Sequence, residues 1–169
     1  MFMNINIFVI TFILFSISVV SFAVELPNRW RLPTKNEMSQ EPLRNNSSTS
    51  HIKVEADFNG DGRTDTALLL KSTSLLSDGL FVRLSGESWQ LISKTTKKLE
   101  TPYNLGIRLA RPNIYKTACG KGYKKCNNAS PAKLKLGLPG IFLFTFESAR
   151  SIWYWDATTK EFKQTWLSG

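Results

Sequence analysis

From residue 51 to the end of the chain, apolar residues occur in short runs that turn-forming residues interrupt. In order, the runs read IKVEA, TALLLK, GLFVRLS, SWQLISK, GIRLA, KLKLGL, GIFLFTF, SIWYWD and EFKQTWL. Runs of this length, rich in β-branched and aromatic residues, are typical of β-strands. No window has the 3.6-residue period of a long amphipathic helix. The sequence therefore predicts a mainly β domain whose antiparallel twisted sheet curls into a sandwich or a partly open barrel.

Three junctions between these runs have the composition of hairpin turns. They are Asp78-Gly79, residues 147–150 and residues 157–160, and each is rich in residues that turns favour. A chain of 169 residues suits one ordinary domain. We therefore expect the strands over residues 51–169 to share a single core.

Aromatic residues in the last third of the chain alternate at the period of a strand. Phe142, Phe144 and Phe146 fall on one face of their run while Ile141 and Leu143 fall on the other, which predicts a central strand that is apolar on both sides. The pairs Trp153 with Trp155 and Phe162 with Trp166 also each share a face. We expect these rings to pack in the core, and an aromatic groove for stacking on sugars is the alternative.

The first 23 residues contain no charged side chain and end in Ser21-Phe22-Ala23. An apolar run that leads to small residues predicts a signal peptide cleaved after Ala23, and a retained membrane anchor is the alternative. Residues 24–50 are polar and proline-rich and have no sustained period, so they are expected to form an irregular arm. Trp30 in this arm could anchor it by packing on the domain. The leader implies a periplasmic or secreted protein with no stable membrane span after cleavage.

The only two cysteines, Cys119 and Cys126, are separated by six residues. In an oxidising compartment such a pair predicts a local disulfide, and free thiols or a metal site are the alternatives. Between and beside the cysteines lie Lys121, Lys124 and Lys125. A basic loop closed by a disulfide would be rigid and exposed, which makes these lysines candidate partner-binding residues.

The stretch DFNGDGRTD begins at Asp57 and places oxygen-bearing side chains at alternating positions. Asp57, Asn59, Asp61 and Asp65 occupy positions 1, 3, 5 and 9, and Arg63 at position 7 offers its main-chain carbonyl. Hard cations prefer such oxygen ligands, and the spacing suits Ca²⁺. A solvated turn of Asp, Asn and Gly without an ion is the alternative.

This motif resembles the calcium loops of the FG-GAP and VCBS repeat families over about a dozen residues. Position 12, where an EF-hand has a glutamate, is Leu68, which favours the β-associated loop over the helix-loop-helix type. The resemblance implies a metal-bound β-turn in which Asp65 completes the site directly or through water. Such loops are mostly architectural, so the resemblance implies no particular function.

A catalytic constellation is hard to assemble from this sequence. His51 is the only imidazole and is expected to be exposed at the start of a strand, so any Ser-His-Asp or Cys-His arrangement would depend on it. Glu55 with Asp57, or Glu147 with another acid, could pair for glycan hydrolysis. None of the common catalytic motifs is present, and we therefore expect a protein that is not an enzyme.

The net charge of +9 indicates which molecules the protein can attract and says little about its fold. Outside the cytoplasm, nucleic acid is an unsuitable target, whereas an acidic protein or an anionic envelope polymer fits the charge. The sequence favours an exported, calcium-stabilised binding protein, most specifically a periplasmic inhibitor or immunity-type protein that occludes a toxin or an envelope enzyme. A carbohydrate- or envelope-binding module is the alternative.

Overall fold

The computed structural model describes residues 25–74, 77–96, 104–127 and 130–168. The signal peptide predicted for residues 1–23 lies outside these ranges. Within them, no helix has both the length and the apolar character needed to cross a membrane.

Short antiparallel strands dominate the described ranges, which confirms the predicted mainly β class. The strands are β1 (Trp30–Arg31), β2 (Lys53–Ala56), β3 (Asp65–Ser72), β4 (Ser77–Arg83), β5 (Gln90–Thr96), β6 (Leu105–Ala110), β7 (Asn113–Lys116), β8 (Lys133–Leu136), β9 (Gly140–Thr145), β10 (Arg150–Asp156) and β11 (Glu161–Ser168). A short α-helix, α1 (Lys35–Ser39), and a 3-10 helix (Pro42–Asn46) precede β2.

The strands form two sheets and a two-stranded ribbon. The first sheet has the order β1-β3-β4-β5, and β2 also pairs with β3. The second sheet has the order β11-β10-β9-β6, and the ribbon consists of β7 and β8. The sheets also meet near β2 and β6, where the Ile107 amide donates to the His51 carbonyl at 2.7 Å. They do not close into a barrel.

The main core lies between the two sheets. Successive strand residues point to opposite faces, and Ala67 and Leu69 of β3 are fully buried on the inner face of the first sheet. From the second sheet, Ile107 and Ile141 are buried in the same cluster. The rings of Trp153, Trp155 and Phe162 pack against it, which confirms the core prediction for these three aromatics.

The outer face of the first sheet is covered by the N-terminal arm. Leu68, Leu70 and Phe81 form a second buried cluster there. The Trp30 ring meets the Phe81 ring edge-on, with centroids 4.8 Å apart, and Leu26 packs nearby. Trp30 therefore anchors the arm by packing, as its size predicts.

The arm is more regular than its sequence indicates. Instead of an irregular segment, residues 25–50 contain β1, α1 and the 3-10 helix. Thr34 and Glu37 form a capping box at the start of α1, a motif that satisfies main-chain donors at a helix end. Helices of five residues are too short to show a repeating apolar pattern, which explains why periodicity did not reveal them.

Arg44, at the 3-10 helix, ties the arm to the second sheet. Its side chain is only 1% exposed, and it donates to the Ser50 carbonyl at 2.8 Å and to the Leu105 carbonyl. The guanidinium carbon lies 5.1 Å from the centre of the Phe146 ring. A buried charge of this kind needs such polar partners to remain inside a protein, so Arg44 fixes the path of the arm across the sheet junction.

The ribbon covers part of the outer face of the second sheet. Leu134 and Leu136 of β8 pack with Phe142, Ile152 and Leu167 in a third buried cluster. Strand β9 is paired on both edges and carries buried residues on both faces. The central position predicted for this strand is therefore confirmed.

Two of the three predicted hairpin turns are confirmed. Residues 146–149 connect β9 to β10, and residues 157–160 connect β10 to β11. The Asp78-Gly79 prediction is wrong, because both residues lie inside β4.

The neighbours of Asp78 and Gly79 explain why the chain continues straight through this dipeptide. Asp78 is 1% exposed, and its carboxylate is 3.1 Å from the Lys71 ammonium on the facing strand. A Cβ on Gly79 would lie 2.7 Å from the Phe81 ring and 2.9 Å from Trp30. The glycine is needed here for close packing in a strand and not for a turn.

The Arg31–Glu37 pair predicts a pH-dependent contribution of the arm to stability. Two hydrogen bonds of 2.8 Å join the side chains, and the bonds from Arg31 lower the pKa of Glu37 to about 2. Because the folded-state pKa lies below the unfolded value, the stabilisation is complete above about pH 5 and is lost as the pH falls toward 2. Glu37→Gln should therefore lower the free energy of unfolding at pH 7 by about 1–2 kcal/mol, a figure reduced for the partial exposure of the pair.

Urea denaturation of both proteins from pH 7 to pH 2.5 measures this effect. The difference between wild type and variant should shrink below about pH 4, where the Glu37 carboxyl of the unfolded chain takes up its proton while that of the folded protein stays ionised. A difference that stays constant down to pH 2.5 would contradict the assigned role of the pair.

Candidate metal loop and partner-binding surface

The carboxylate of Asp57 organises the turn between β2 and β3. It accepts main-chain N–H groups from Gly60 at 2.7 Å, Asp61 at 3.1 Å and Gly62 at 2.8 Å. Gly60 and Gly62 have φ values of +81° and +80°, a conformation that glycine adopts without strain. The aspartate and the two glycines together therefore define the shape of the loop.

Asn59 and Asp61 are brought to the same exposed turn as Asp57. The Asp61 amide donates to the Asn59 side-chain oxygen at 3.1 Å, and the Asn59 amide group donates to the Asp61 carboxylate at 3.3 Å. The Arg63 guanidinium donates to the same carboxylate at 2.9 Å. This hydrogen bond lowers the pKa of Asp61, and the ion pair occupies one oxygen of its carboxylate.

Asp65 lies apart from this exposed cluster. Its side chain is fully buried, and its two oxygens accept main-chain N–H groups from Phe58 and Ser85, each at 2.8 Å. Asp65 thus joins the start of the loop to the connection between β4 and β5. In the structure, Asp65 holds two segments of the main chain together by hydrogen bonds, and any contact with an ion would be additional.

The oxygen donors in the loop are of the kind that calcium prefers. Asp57 and Asp61 supply carboxylates and Asn59 supplies an amide oxygen, which are hard ligands suited to Ca²⁺. Among the described residues, no group of three or more Asp, Glu, His or Cys side chains is arranged to hold a metal. An ion at this turn would accordingly depend on the amide oxygen of Asn59 and on the Arg63 carbonyl as well as on the two carboxylates.

The predicted disulfide is present between Cys119 and Cys126, with an S–S distance of 2.05 Å. The bridged segment lies in the connection between β7 and β8, and it is attached to the edge strand β11. The Ala118 amide donates to the Trp166 carbonyl at 2.8 Å, and the Lys121 ammonium donates to the Leu167 carbonyl at 2.9 Å. Lys121 therefore holds the loop in place as well as carrying charge.

Two aromatic side chains and two lysines are exposed where this loop meets β11. Tyr123 is 65% exposed and Trp166 is 43% exposed, while Lys124 and Lys125 are also exposed. The Tyr123 amide donates to the Ala118 carbonyl at 3.0 Å, so Ala118 links both aromatic residues through its main chain. We call Tyr123, Lys124, Lys125 and Trp166 the loop surface.

The exposure of Trp166 corrects the prediction that this ring packs in the core. The pairing of β10 with β11 shifts between Arg150 and Ser151: Ser151 pairs with Trp166, but Arg150 pairs with Ser168. The extra residue, Leu167, is 2% exposed and packs in the third buried cluster on the opposite face. Pairing is regular up to Trp166, so Phe162 and Trp166 share a face as predicted. Alternation shows which residues share a face, but it does not show how far along that face the core extends.

Three candidate catalytic residues line one cleft of about 820 Å³ between β2 and the second sheet, namely His51, Glu55 and Glu147. His51 is half buried and not exposed as expected, with ring centroids 5.5 Å from both Phe144 and Phe146. Burial lowers the pKa of His51. The Glu55 carboxylate is 2.9 Å from the Lys53 ammonium, which engages it in an ion pair.

Comparisons with models of known protein families, with curated proteins and with solved structures found no match to this chain. Its function must therefore be inferred from the geometry of the loop, the loop surface and the cleft. Sequence reasoning found the lysines of the loop surface but missed Tyr123. The signal for it was its position inside the segment that the two cysteines close.

The hydrogen bonds of Asp65 predict that its carboxylate is essential for stability. In Asp65→Asn, an amide N–H₂ group would face one of the two main-chain N–H donors, leaving that buried donor without an acceptor. The free energy of unfolding should fall by about 2–3 kcal/mol. Urea denaturation without divalent cations measures the loss.

Asp61→Asn serves as the matched control, because Asp61 is in the same loop but open to water. Its effect under the same conditions should be much smaller than that of Asp65→Asn. Equal losses in the two variants would contradict the bracing role of Asp65.

Proposed function

We propose that this protein is an exported, calcium-stabilised binding protein, an inhibitor or immunity-type protein that occludes a toxin or an envelope enzyme. The observation that carries the proposal is the loop surface, where Tyr123 and two lysines stand exposed on a segment closed by a disulfide and Trp166 is exposed on the adjoining strand β11. The proposal is one of binding and not of turnover.

The two exposed aromatic side chains of the loop surface, Tyr123 and Trp166, are of types that protein interfaces favour. Tyr and Trp are enriched among the residues that dominate binding energy at such interfaces. A loop held by the Cys119–Cys126 bridge and by hydrogen bonds to Trp166 and Leu167 loses little conformational freedom on binding. Less of the interaction energy is then spent on ordering the loop, which favours tight association.

Charge and compartment support a particular kind of partner. The net charge of +9 favours rapid encounter with an acidic protein. A disulfide forms and persists in oxidising compartments, which supports a periplasmic or secreted location. The contacts of the cleft residues also favour binding over hydrolysis, since Glu55 is paired with Lys53.

Calcium is proposed to stabilise the turn through Asp57, Asn59, Asp61 and the main-chain carbonyl of Arg63. The support is that three oxygen-bearing side chains already meet at one exposed turn. A bound cation would compete with the Arg63 guanidinium for Asp61 and would relieve the repulsion between the two carboxylates. The ion would be structural, holding the connection between β2 and β3.

Thermal melting in calcium and in chelator tests the ion. The midpoint for wild type should rise by about 5–10 °C at a calcium concentration ~100-fold above the Kd. Asp57→Asn and Asp61→Asn should each reduce or abolish this rise, because each removes a ligand charge.

Asp156→Asn is the matched control for the calcium experiment. Asp156 also caps an exposed turn, since it accepts the Thr158 amide at 2.8 Å, but it lies outside the loop. This variant should retain the full rise in calcium. If wild type shows no rise, or if all three variants keep it, the calcium proposal is wrong.

Affinity capture with matched variants tests the binding function. The immobilised mature domain should retain one acidic protein in stoichiometric amount from native extracts of the source cells, through moderate salt. The variant Tyr123→Ser/Trp166→Ser should weaken retention by a factor of about 10 or more. Leu91→Ser is the control, because Leu91 is 46% exposed on the other sheet, and it should retain the partner fully.

Two results would overturn this assignment. Equal losses in the loop-surface variant and in Leu91→Ser would show that the loop surface is not the interface. Retention of envelope polymer alone, released by salt, would replace the inhibitor with an envelope- or carbohydrate-binding module in which Trp166 stacks on sugar.

A further inference from the structure

Two arginines from different strands lie against one buried ring on the outer face of the second sheet. The guanidinium carbons of Arg108 on β6 and Arg150 on β10 are 5.4 Å and 5.2 Å from the centre of the Phe142 ring. Phe142 belongs to β9, between the two strands, and is 7% exposed. The ring is fixed by the core, so it holds both positive groups on the same part of the sheet.

A third arginine and a tyrosine extend this arrangement. Tyr115 meets the Phe142 ring edge-on, with centroids 5.6 Å apart, and its hydroxyl donates to the Arg111 carbonyl at 2.7 Å. Arg111 is exposed next to Arg108 and Arg150, and the three line one depression with Tyr115 and Phe142. We call these five residues the arginine face.

The positive charge of the arginine face has no acidic partner among the described residues. In the part of the chain that the structure describes, neither Arg108 nor Arg150 has a carboxylate within ion-pair distance. Holding like charges close together without a counter-charge is unfavourable by Coulomb repulsion. An anionic ligand would remove that repulsion and would gain charge-assisted hydrogen bonds.

The arginine face continues into the large cleft, because Arg108, Leu109 and Arg150 line both. Beyond the arginines, the cleft wall is partly apolar, with Leu43, Phe144 and Phe146. Its polar part includes the carboxylates of Glu55, which is paired with Lys53, and Glu147, so the acidic side chains of a ligand would lie on the arginine face and its other residues in the cleft. A polypeptide segment offers carboxylates, apolar side chains and main-chain polar groups together. A phosphate polymer offers no apolar groups to the cleft wall.

We propose that the arginine face recognises carboxylate side chains in an acidic segment of a protein partner, with the rest of that segment lying in the adjoining cleft. The inference rests on the proposed binding function and names the chemistry of the partner. It adds a site distinct from the loop surface. Arginine suits this task better than lysine, because its planar group stacks on a ring and still presents paired donors to a carboxylate.

Fluorescence anisotropy with a labelled oligoglutamate peptide at low salt tests the inference on the full mature domain. Arg108→Gln/Arg150→Gln should weaken binding by a factor of about 10 or more. The matched control, Lys124→Gln/Lys125→Gln, removes the same charge from the loop surface and should weaken binding by less than about threefold. Circular dichroism and melting of both variants verify that they are folded.

The conservative variant Arg108→Lys/Arg150→Lys separates stacked recognition from charge alone. It keeps both charges but lacks the planar group, so binding should remain well below that of wild type. Full recovery in this variant, or equal losses in the glutamine variants at the two sites, would reduce the effect to non-specific attraction and overturn the proposal.

Inorganic polyphosphate as a second probe distinguishes the ligand classes. If polyphosphate binds through the same arginines and oligoglutamate does not, the face recognises phosphate and the proposed partner is wrong. Affinity capture through Tyr123 and Trp166 is measured separately. Intact capture together with no role for Arg108 and Arg150 would overturn this inference alone and leave the binding function standing.

Discussion

Burial of both faces of the central strands β3 and β9 is the constraint on which the rest of the structure depends. The inner faces cover each other, but β3 and β9 also carry apolar residues on their outer faces. Each outer face needs a cover, and the chain supplies a different one for each sheet. The arm covers the first sheet through Trp30, and the ribbon covers the second through Leu134 and Leu136.

The candidate binding surfaces lie at the edges of the arm and of the ribbon that cover the two sheets. A long segment connects the two ribbon strands, β7 and β8. This segment contains the disulfide-bridged loop, which is attached to β11. The ribbon is also shorter than the sheet beneath it, so Arg108 and Arg150 remain uncovered beside Phe142. The cleft arises where the arm, held by Arg44, passes the junction of the two sheets. The segments that cover the sheets therefore also form the edges of the candidate binding surfaces.

Much of the fold was predictable because it depends on local patterns. Strand-length runs, two of the hairpin turns and the disulfide each follow from neighbouring residues. The errors occur where packing against other elements decides the outcome: Gly79 lies against Trp30 of the arm, and the Trp166 ring is left exposed at the end of β11. For the same reason the loop spacing predicted the turn around Asp57, but it could not show that Asp65 braces the β4–β5 connection.

The acidic residues of the chain are paired with some of its basic residues and not with others. The basic residues left without such a pair are the ones that can attract an anionic molecule. Most of the acidic residues named above already have partners within the protein. Basic side chains pair with Glu37, Glu55, Asp61, Asp78 and Asp156, and main-chain N–H groups engage Asp57 and Asp65. Arg108 and Arg150, by contrast, are held on one ring and have no carboxylate within ion-pair distance in the described ranges. An acidic partner would supply the negative charge that Arg108 and Arg150 lack, because the acidic residues of the chain named above are paired at other sites.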